Sequence, residues 1–304
     1  MSFLEATGVS KRYGDTQALT EFTLSVERSQ VYALVGPDGA GKTTLIRILC
    51  RLIDADAGSV TIDGQDITKS FDQVKATLGY MPQQFSLYPD LSVEENLIFY
   101  GGLFGIKGKA FQEKRDFLYN FSNLAPFAKR RAHALSGGMK QKLALSCALI
   151  HDPKILILDE PTTGVDPLSR RQFWEILLTL KSQGVAILVS TPYMDEVARC
   201  DRACFIFGGH KLSEGEPREL ARQFSGHIYY LSREPNSQLV ADLNQIPDLS
   251  ANRFGAGLHL YLPADRTIDT IGDQLSSLGI DVADTTPIEP GLEDRFIQLM
   301  GDQP

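Results

Sequence analysis

A mainly parallel α/β sheet, preceded by antiparallel strands and followed by a small α+β domain, is the fold class the sequence predicts. Three observations carry it. Short apolar runs alternate with helical stretches through the middle of the chain, as in "KILILDE", "PLSRRQFWEILLTLKSQG" and "VAILVST". The first thirty residues instead alternate apolar with polar, as in "FTLSVER", the pattern of a half-exposed antiparallel strand. After about Arg222 the character changes again.

Taken in order, "VYALV" at Val31–Val35 is a buried strand that runs into glycine-rich sequence. "KTTLIRILCRL" follows with apolar residues at helical spacing. From about Ser92 to Ile150 the chain reads as mostly helical, so a helical subdomain is expected over about 88–150. The strands "KILILDE" and "VAILVST" then flank a helix. In the tail, "GHIYYLS" and "GLHLYLP" read as strands, and "TIDTIGDQLSSLG" and "GLEDRFIQLM" as helices. The expected domains are 1–224 and 225–304.

Composition narrows the function. The 304 residues are 43% hydrophobic and 22% charged, which is globular rather than disordered. A formal net charge of -8 argues against a nucleic-acid partner, because phosphate backbones attract clustered Lys and Arg. Cys200 and Cys204 stand four apart with no second Cys/His pair nearby, so reduced, structural cysteines are expected. No apolar run approaches the roughly 20 residues that span a bilayer. The opening "MSFLEATGVSKRYG" has no signal-peptide core. A cytosolic chain, reaching a membrane only through partners, is the expectation.

The phosphate chemistry is carried by "GPDGAGKTT", comprising Gly36, Pro37, Asp38, Gly39, Ala40, Gly41, Lys42, Thr43 and Thr44. It matches G-x-x-x-x-G-K-[ST] between a strand and a helix. The glycines let the backbone turn its N–H groups toward phosphate oxygens, and the helix adds its positive end. Lys42 can reach the β- and γ-phosphates, and the Thr43 hydroxyl can ligate Mg2+. Asp159 closes the strand "ILIL", where a carboxylate suits a Mg2+ contact. Glu160 points to the other side of the strand and can polarise an attacking water as general base.

"LSGGMKQ" opens a further helix at Ser136, Gly137, Gly138 and Met139. Alone it reads equally as an N-cap. Standing between a phosphate loop and "ILILDEP", it resembles the signature of ABC transporter ATP-binding subunits, and the likeness covers roughly residues 3–225. The resemblance implies further roles. Tyr13 in "KRYG" would stack on adenine, the alternative being an aromatic packed in the sheet. Gln83 in "GYMPQQ" would sense Mg2+ and touch the membrane subunit, with Gln84 as the alternate choice. Asp166 in "GVDP" would belong to the D-loop, and it also suits a helix N-cap ahead of Pro167. In this family ATP is sandwiched between the phosphate loop of one domain and the signature of another, so a dimer is implied.

Two positions depart from the family pattern. Asp38 stands where Asn is usual. Pro192 in "LVSTPYMDEV" stands where a histidine would hydrogen-bond the γ-phosphate. Proline has no donor to offer, and losing one aimed donor costs roughly 10²–10³-fold in rate. The expected local structure has Thr191 as an N-cap and Pro192 as the first helical residue. Tyr193 is either a substitute donor or a packing residue. The loop and the degenerate switch resemble the first half of tandem drug-export ATPases. They imply an asymmetric pair whose second nucleotide-binding domain is a separate chain, a heterodimer being favoured over a homodimer.

Charged and aromatic helices around Tyr88–Gly105 would dock a permease subunit. The ending "TPIEPGLEDRFIQL" resembles that of exporter ATPases carrying a small regulatory or dimerising domain. The expectation is an ATP- and Mg2+-dependent coupling subunit of a membrane exporter. It would lie peripherally on the cytoplasmic face of the inner membrane, with permeases as partners and a periplasmic adaptor as a further candidate. The competing expectations are a soluble non-transport ATPase and a nearly non-catalytic ATP-binding regulator.

Overall fold

The computed structural model describes residues 2–301. The chain divides between Pro217 and Arg218 into two compact units. The boundary expected after residue 224 lies just beyond the helix that begins at this division, Pro217–Arg222.

Among the described residues the first unit holds ten strands: β1 (Ser2–Tyr13), β2 (Thr16–Glu27), β3 (Val31–Val35), β4 (Ala57–Ile62), β5 (Gln65–Asp66), β6 (Leu78–Met81), β7 (Ile155–Asp159), β8 (Ala186–Thr191), β9 (Arg202–Phe207) and β10 (His210–Gly215). Its helices are α1 (Lys42–Leu49), α2 (Phe71–Val74), α3 (Val93–Leu103), α4 (Gly108–Ser122), α5 (Gly137–Ala148), α6 (Pro167–Ser182) and α7 (Met194–Val197), while α8 (Pro217–Arg222) begins at the division. An antiparallel sheet has the order β2-β1-β4-β5. β2 turns alternate residues outward, as the pattern of "FTLSVER" requires.

The larger sheet has the order β10-β9-β3-β8-β7-β6, parallel except for the edge strand β10. β3, β7 and β8 are buried at every residue, which explains their unbroken apolar runs. β6 gives a weaker signal because it is four residues long and contains Gly79. That glycine is required: a Cβ there would lie 2.6 Å from the Leu156 side chain and 2.8 Å from the Ala148 carbonyl. Register pairs Val35 with Thr191 and Asp159 with Ser190. The carboxyl ends of β3, β7 and β8 therefore share one edge, where parallel sheets place their ligands. The core beneath joins Leu34, Leu45, Ile46, Ile157 and Leu188.

Residues 92–148 are mostly helical. α3 begins with a capping box, in which Ser92 Oγ accepts from Glu95 N and the Glu95 carboxylate accepts from Ser92 N. The buried Asn96 amide bonds the backbone of Tyr88, Leu91 and Ser92 and fixes the approach to that helix. α4 ends on Asn123 in the left-handed region.

The second unit is a four-stranded antiparallel sheet of β11 (His227–Leu231), β12 (Ser250–Phe254), β13 (Gly257–Leu262) and β14 (Thr285–Pro287), in the order β12-β13-β11-β14. It carries α9 (Ser237–Leu243), α10 (Gly272–Ser277) and α11 (Leu292–Gly301). Leu231, Leu243, Leu258, Leu260, Ile271 and Leu275 form its own core. Asp294 of α11 is buried and accepts from Tyr261 Oη at 2.8 Å and Gly291 N at 2.7 Å, with His259 Nδ1 at 2.7 Å. Cys50, Cys147, Cys200 and Cys204 are buried and unpaired. Among the described residues, no helix is long and apolar enough to cross a membrane.

Candidate nucleotide site

The loop between β3 and α1 is shaped by close backbone approach. A Cβ at Gly36 would meet the Ile206 carbonyl at 2.2 Å, and one at Gly41 would meet the Ala18 carbonyl at 2.6 Å. Gly41 also has φ 107, a conformation L side chains rarely adopt. Lys42 is only 4% exposed. Its Nζ donates to the carbonyls of Gly36 at 2.8 Å and Pro37 at 3.0 Å, and stands 3.1 Å from Glu160 Oε1. A cavity of about 510 Å³ opens over this loop, lined by Gln17, Ala18, Asp38 to Thr44, Gln83, Glu160 and others.

Asp159 ends β7 and Glu160 follows it, two carboxylates with different surroundings. Asp159 is 1% exposed, and its Oδ1 accepts from Ser190 Oγ at 2.7 Å. Its Oδ2 is buried and, among the described residues, has no hydrogen-bond partner. Burial pushes the carboxyl above its ordinary pKa, opposed by Ser190 and then by the Thr43 hydroxyl and the Lys42 charge. An orphaned carboxylate oxygen beside a hydroxyl is an all-oxygen donor set that fits Mg2+. Glu160 turns the other way, at φ 47, an uncommon backbone region for a non-glycine residue. Its N–H donates to Ser190 Oγ at 2.9 Å. Its Oε2 accepts from Gln83 Nε2 at 3.0 Å and Thr163 Oγ1 at 3.3 Å. Gln83, rather than Gln84, is thus the glutamine that joins the cavity.

Ser190 joins the Asp159 carboxylate to the Glu160 backbone N–H, and sequence reasoning passed over it as the end of a strand. The signal is a hydroxyl closing an otherwise apolar run, "AILVST". Gln17 of β2 and the Thr163 hydroxyl were likewise missed, since neither lies in a motif.

The start of α7 corrects an expectation. The helix begins at Met194 with Tyr193 at its N-cap, so Pro192 is not the first helical residue and Thr191 is not the cap. Thr191 is still the last residue of β8. Its Oγ1 accepts from Tyr193 N at 3.1 Å, forming a tight turn that delays the helix by two residues. Pro192 is exposed. The Tyr193 ring packs on the Arg170 guanidinium at 4.1 Å, the packing alternative of the two considered for it.

The remaining sequence-marked residues do not line the cavity. Tyr13 ends β1, 47% exposed, with Lys11 Nζ 5.7 Å above its ring. Ser136 caps α5, its Oγ accepting from Met139 N at 3.4 Å. Gly138 lets α5 approach α6, since a Cβ there would lie 2.5 Å from Ser169. Asp166 caps α6 by accepting from Ser169 N at 2.9 Å.

Residues 19–163 match the family model described as ABC transporter. Over 299 residues the chain is 40% identical to the "Probable multidrug ABC transporter ATP-binding protein YbhF" of Escherichia coli strain K12, covering 97% of this chain and 51% of that protein. The chain therefore spans about half the length of that relative. It is 36% identical over 306 residues to the "Nod factor export ATP-binding protein I" of Rhizobium etli, covering 99% of this chain and 94% of that one. A solved structure of the ATP-binding subunit of an ABC transporter superposes with a TM-score of 0.67 at 28% identity, covering 73% of this chain and 93% of that chain.

Proposed function

This chain belongs to the family of ABC transporter ATP-binding proteins, and from that premise we propose that it is the energy-coupling ATPase component of a membrane exporter, working in an asymmetric pair. One observation carries the reading. Lys42, Gln83 and Glu160 converge on one cavity, with Asp159 beside it, while the Ser136–Met139 segment lies outside that cavity. A second nucleotide-binding domain, on the same polypeptide or another, would supply that segment to complete the site. Export is supported by the names of the two relatives and by the "GLEDRFIQL" ending.

The residues divide the work as follows. Backbone N–H groups of Gly39–Thr44 receive the phosphates at the start of α1. Lys42 leaves the Gly36 and Pro37 carbonyls and transfers its charge from Glu160 to the β- and γ-oxygens. Glu160, released from Lys42 and oriented by Gln83 and Thr163, accepts a proton from the attacking water. Bound Mg2+ would neutralise phosphate charge, with Thr43, Asp159 and Gln83 as the residues that hold it. Tyr13 would stack on the base from the edge of the cavity. Pro192 supplies no donor to the γ-phosphate, so this chain's own site turns over slowly. Its Ser136–Gly138 segment serves a competent site on the partner. Permease subunits would dock on the helices of residues 88–150, and the second unit would be a regulatory or dimerising domain.

The test is ATP binding and ATP turnover by the chain alone, then with its partner domain and permeases. Binding with little turnover alone, and a Pro192→His gain of roughly 10²-fold in the chain's own site, is the expected result. Brisk turnover by the unaltered chain alone, or no gain from Pro192→His with ATP still bound, would overturn the asymmetric assignment.

A further inference from the structure

One buried carboxylate next to the site has no part in the chemistry above. Glu196 of α7 is 1% exposed. Its Oε2 accepts from Thr191 Oγ1 at 2.5 Å. Its Oε1 accepts from Thr162 Oγ1 at 2.7 Å and from Arg170 Nε at 3.1 Å. The three partners sit on three different segments. Thr191 ends β8, Thr162 stands two residues after Glu160, and Arg170 belongs to α6. Arg170 is itself held by Asp195 and by the face of the Tyr193 ring.

Burying a carboxylate is costly unless its partners are well placed, and apolar packing often serves stability as well. The bonds made here do something packing would not, because each fixes a direction as well as a distance. The segment they hold is the one that needs it. Glu160 N–H still reaches the Ser190 carbonyl at 3.2 Å and hydroxyl at 2.9 Å, but its φ of 47 turns the chain out of the strand at that residue, so where its carboxylate stands depends also on the course of the loop that follows. Within that loop the backbone bonds are local: Thr163 N to Glu160 O at 3.3 Å and Val165 N to Thr162 O at 3.1 Å. Thr162 to Glu196 ties the loop to another element. On the other side of the grip, Pro192 has neither a side-chain donor nor an N–H with which to bridge from β8 toward the site.

We propose that Glu196 is a positioning residue for Glu160: by gripping Thr162 and Thr191 together it holds the loop after β7 against the end of β8, and so sets where the Glu160 carboxylate stands. The inference rests on the ATPase reading. Glu196 does not line the cavity, so its loss should leave nucleotide affinity intact while slowing the chemical step.

The experiment compares Thr162→Val and Thr162→Ser in the full chain, with and without partner domains. Thr162→Val removes the hydroxyl and leaves Glu196 its bonds to Thr191 and Arg170. Thr162→Ser keeps the hydroxyl. Three quantities are read: ATP affinity, melting temperature, and the single-turnover hydrolysis rate at saturating labelled ATP. In Thr162→Val the rate should fall on the order of tenfold or more, the scale of loss when a reacting group is displaced by about 1 Å. Affinity should stay within about twofold, the split that marks a group acting only in the chemical step. Thr162→Ser should recover the rate. A Thr162→Val rate equal to that of the unaltered chain, an affinity loss in proportion to the rate loss, or no recovery in Thr162→Ser would each overturn the proposal. If Thr162→Val does not fold, Glu196→Gln takes its place, with the same affinity and rate outcomes. The absolute rate of the unaltered chain reports on the proposed function, and the ratio of variant to unaltered chain reports on Glu196, so the two can fail separately.

Discussion

Asp159 shows how a single residue is held in tension by its site. It is buried, one oxygen has no partner, and desolvation raises its pKa. The sign of the pH effect follows from proton counts. Between the ordinary value of about 3.9 and the raised folded value, the folded chain holds a proton that the unfolded chain has released. Stability therefore falls as pH rises through that window, and the full cost stands above it. The nucleotide-free Asp159→Asn variant should melt higher than the unaltered chain at pH 7, by about 2–4 °C for each kcal/mol of relief. The difference should vanish at a pH below the window, while Mg2+-dependent turnover is lost at every pH. Paired melting curves at several pH values check this. A variant that melts lower at pH 7 would show that the burial penalty is already met. The residue scale is also where sequence is most and least informative. Lys42, Asp159 and Glu160 are legible because the phosphate and water chemistry proposed for them calls for those groups at those spacings. Ser190 and Glu196 do not, because a hydroxyl and a carboxylate acquire meaning only from what the fold sets opposite them.

Elements follow the same division. β3, β7 and β8 are legible because burial on both faces leaves only apolar residues to choose from. β6, β12 and β14 are not, since each is at most five residues long and too short for a period to emerge. The start of α7 was misjudged because Thr-Pro is a good helix opening in isolation. Here the Thr191 hydroxyl is already engaged with Tyr193 N and Glu196, so the helix waits for Met194. The opening of α3 is a different case, a capping box of Ser92 and Glu95 that the sequence reading did not single out and the structure forms. Removing it tests how much local chemistry holds the helical region. Ser92→Ala should cost about 1 kcal/mol of stability, read as a lower denaturation midpoint. ATP affinity should not change, because α3 does not border the cavity. A loss of affinity would tie that helix to the nucleotide site.

At the scale of the molecule, the broad architecture is legible: a mainly parallel sheet, antiparallel opening strands, a helical region and a smaller unit. What composition does not carry is which segments share one cavity, since that depends on strand order. The phosphate loop and the carboxylates meet because β3 and β7 both flank β8. Ser136–Met139, only about twenty residues before Asp159 in the chain, stays outside. In the proposed pair, that separation makes concentration a control variable. A cavity with part of its wall on another domain loses specific activity on dilution, not merely total activity. Turnover per molecule of separately prepared domains should rise with protein concentration toward a plateau, and a flat line would mean that one domain suffices. Anchoring both domains to one permease would abolish the dependence by making their encounter intramolecular. On this account the membrane partner governs the rate by deciding how often two incomplete sites find each other.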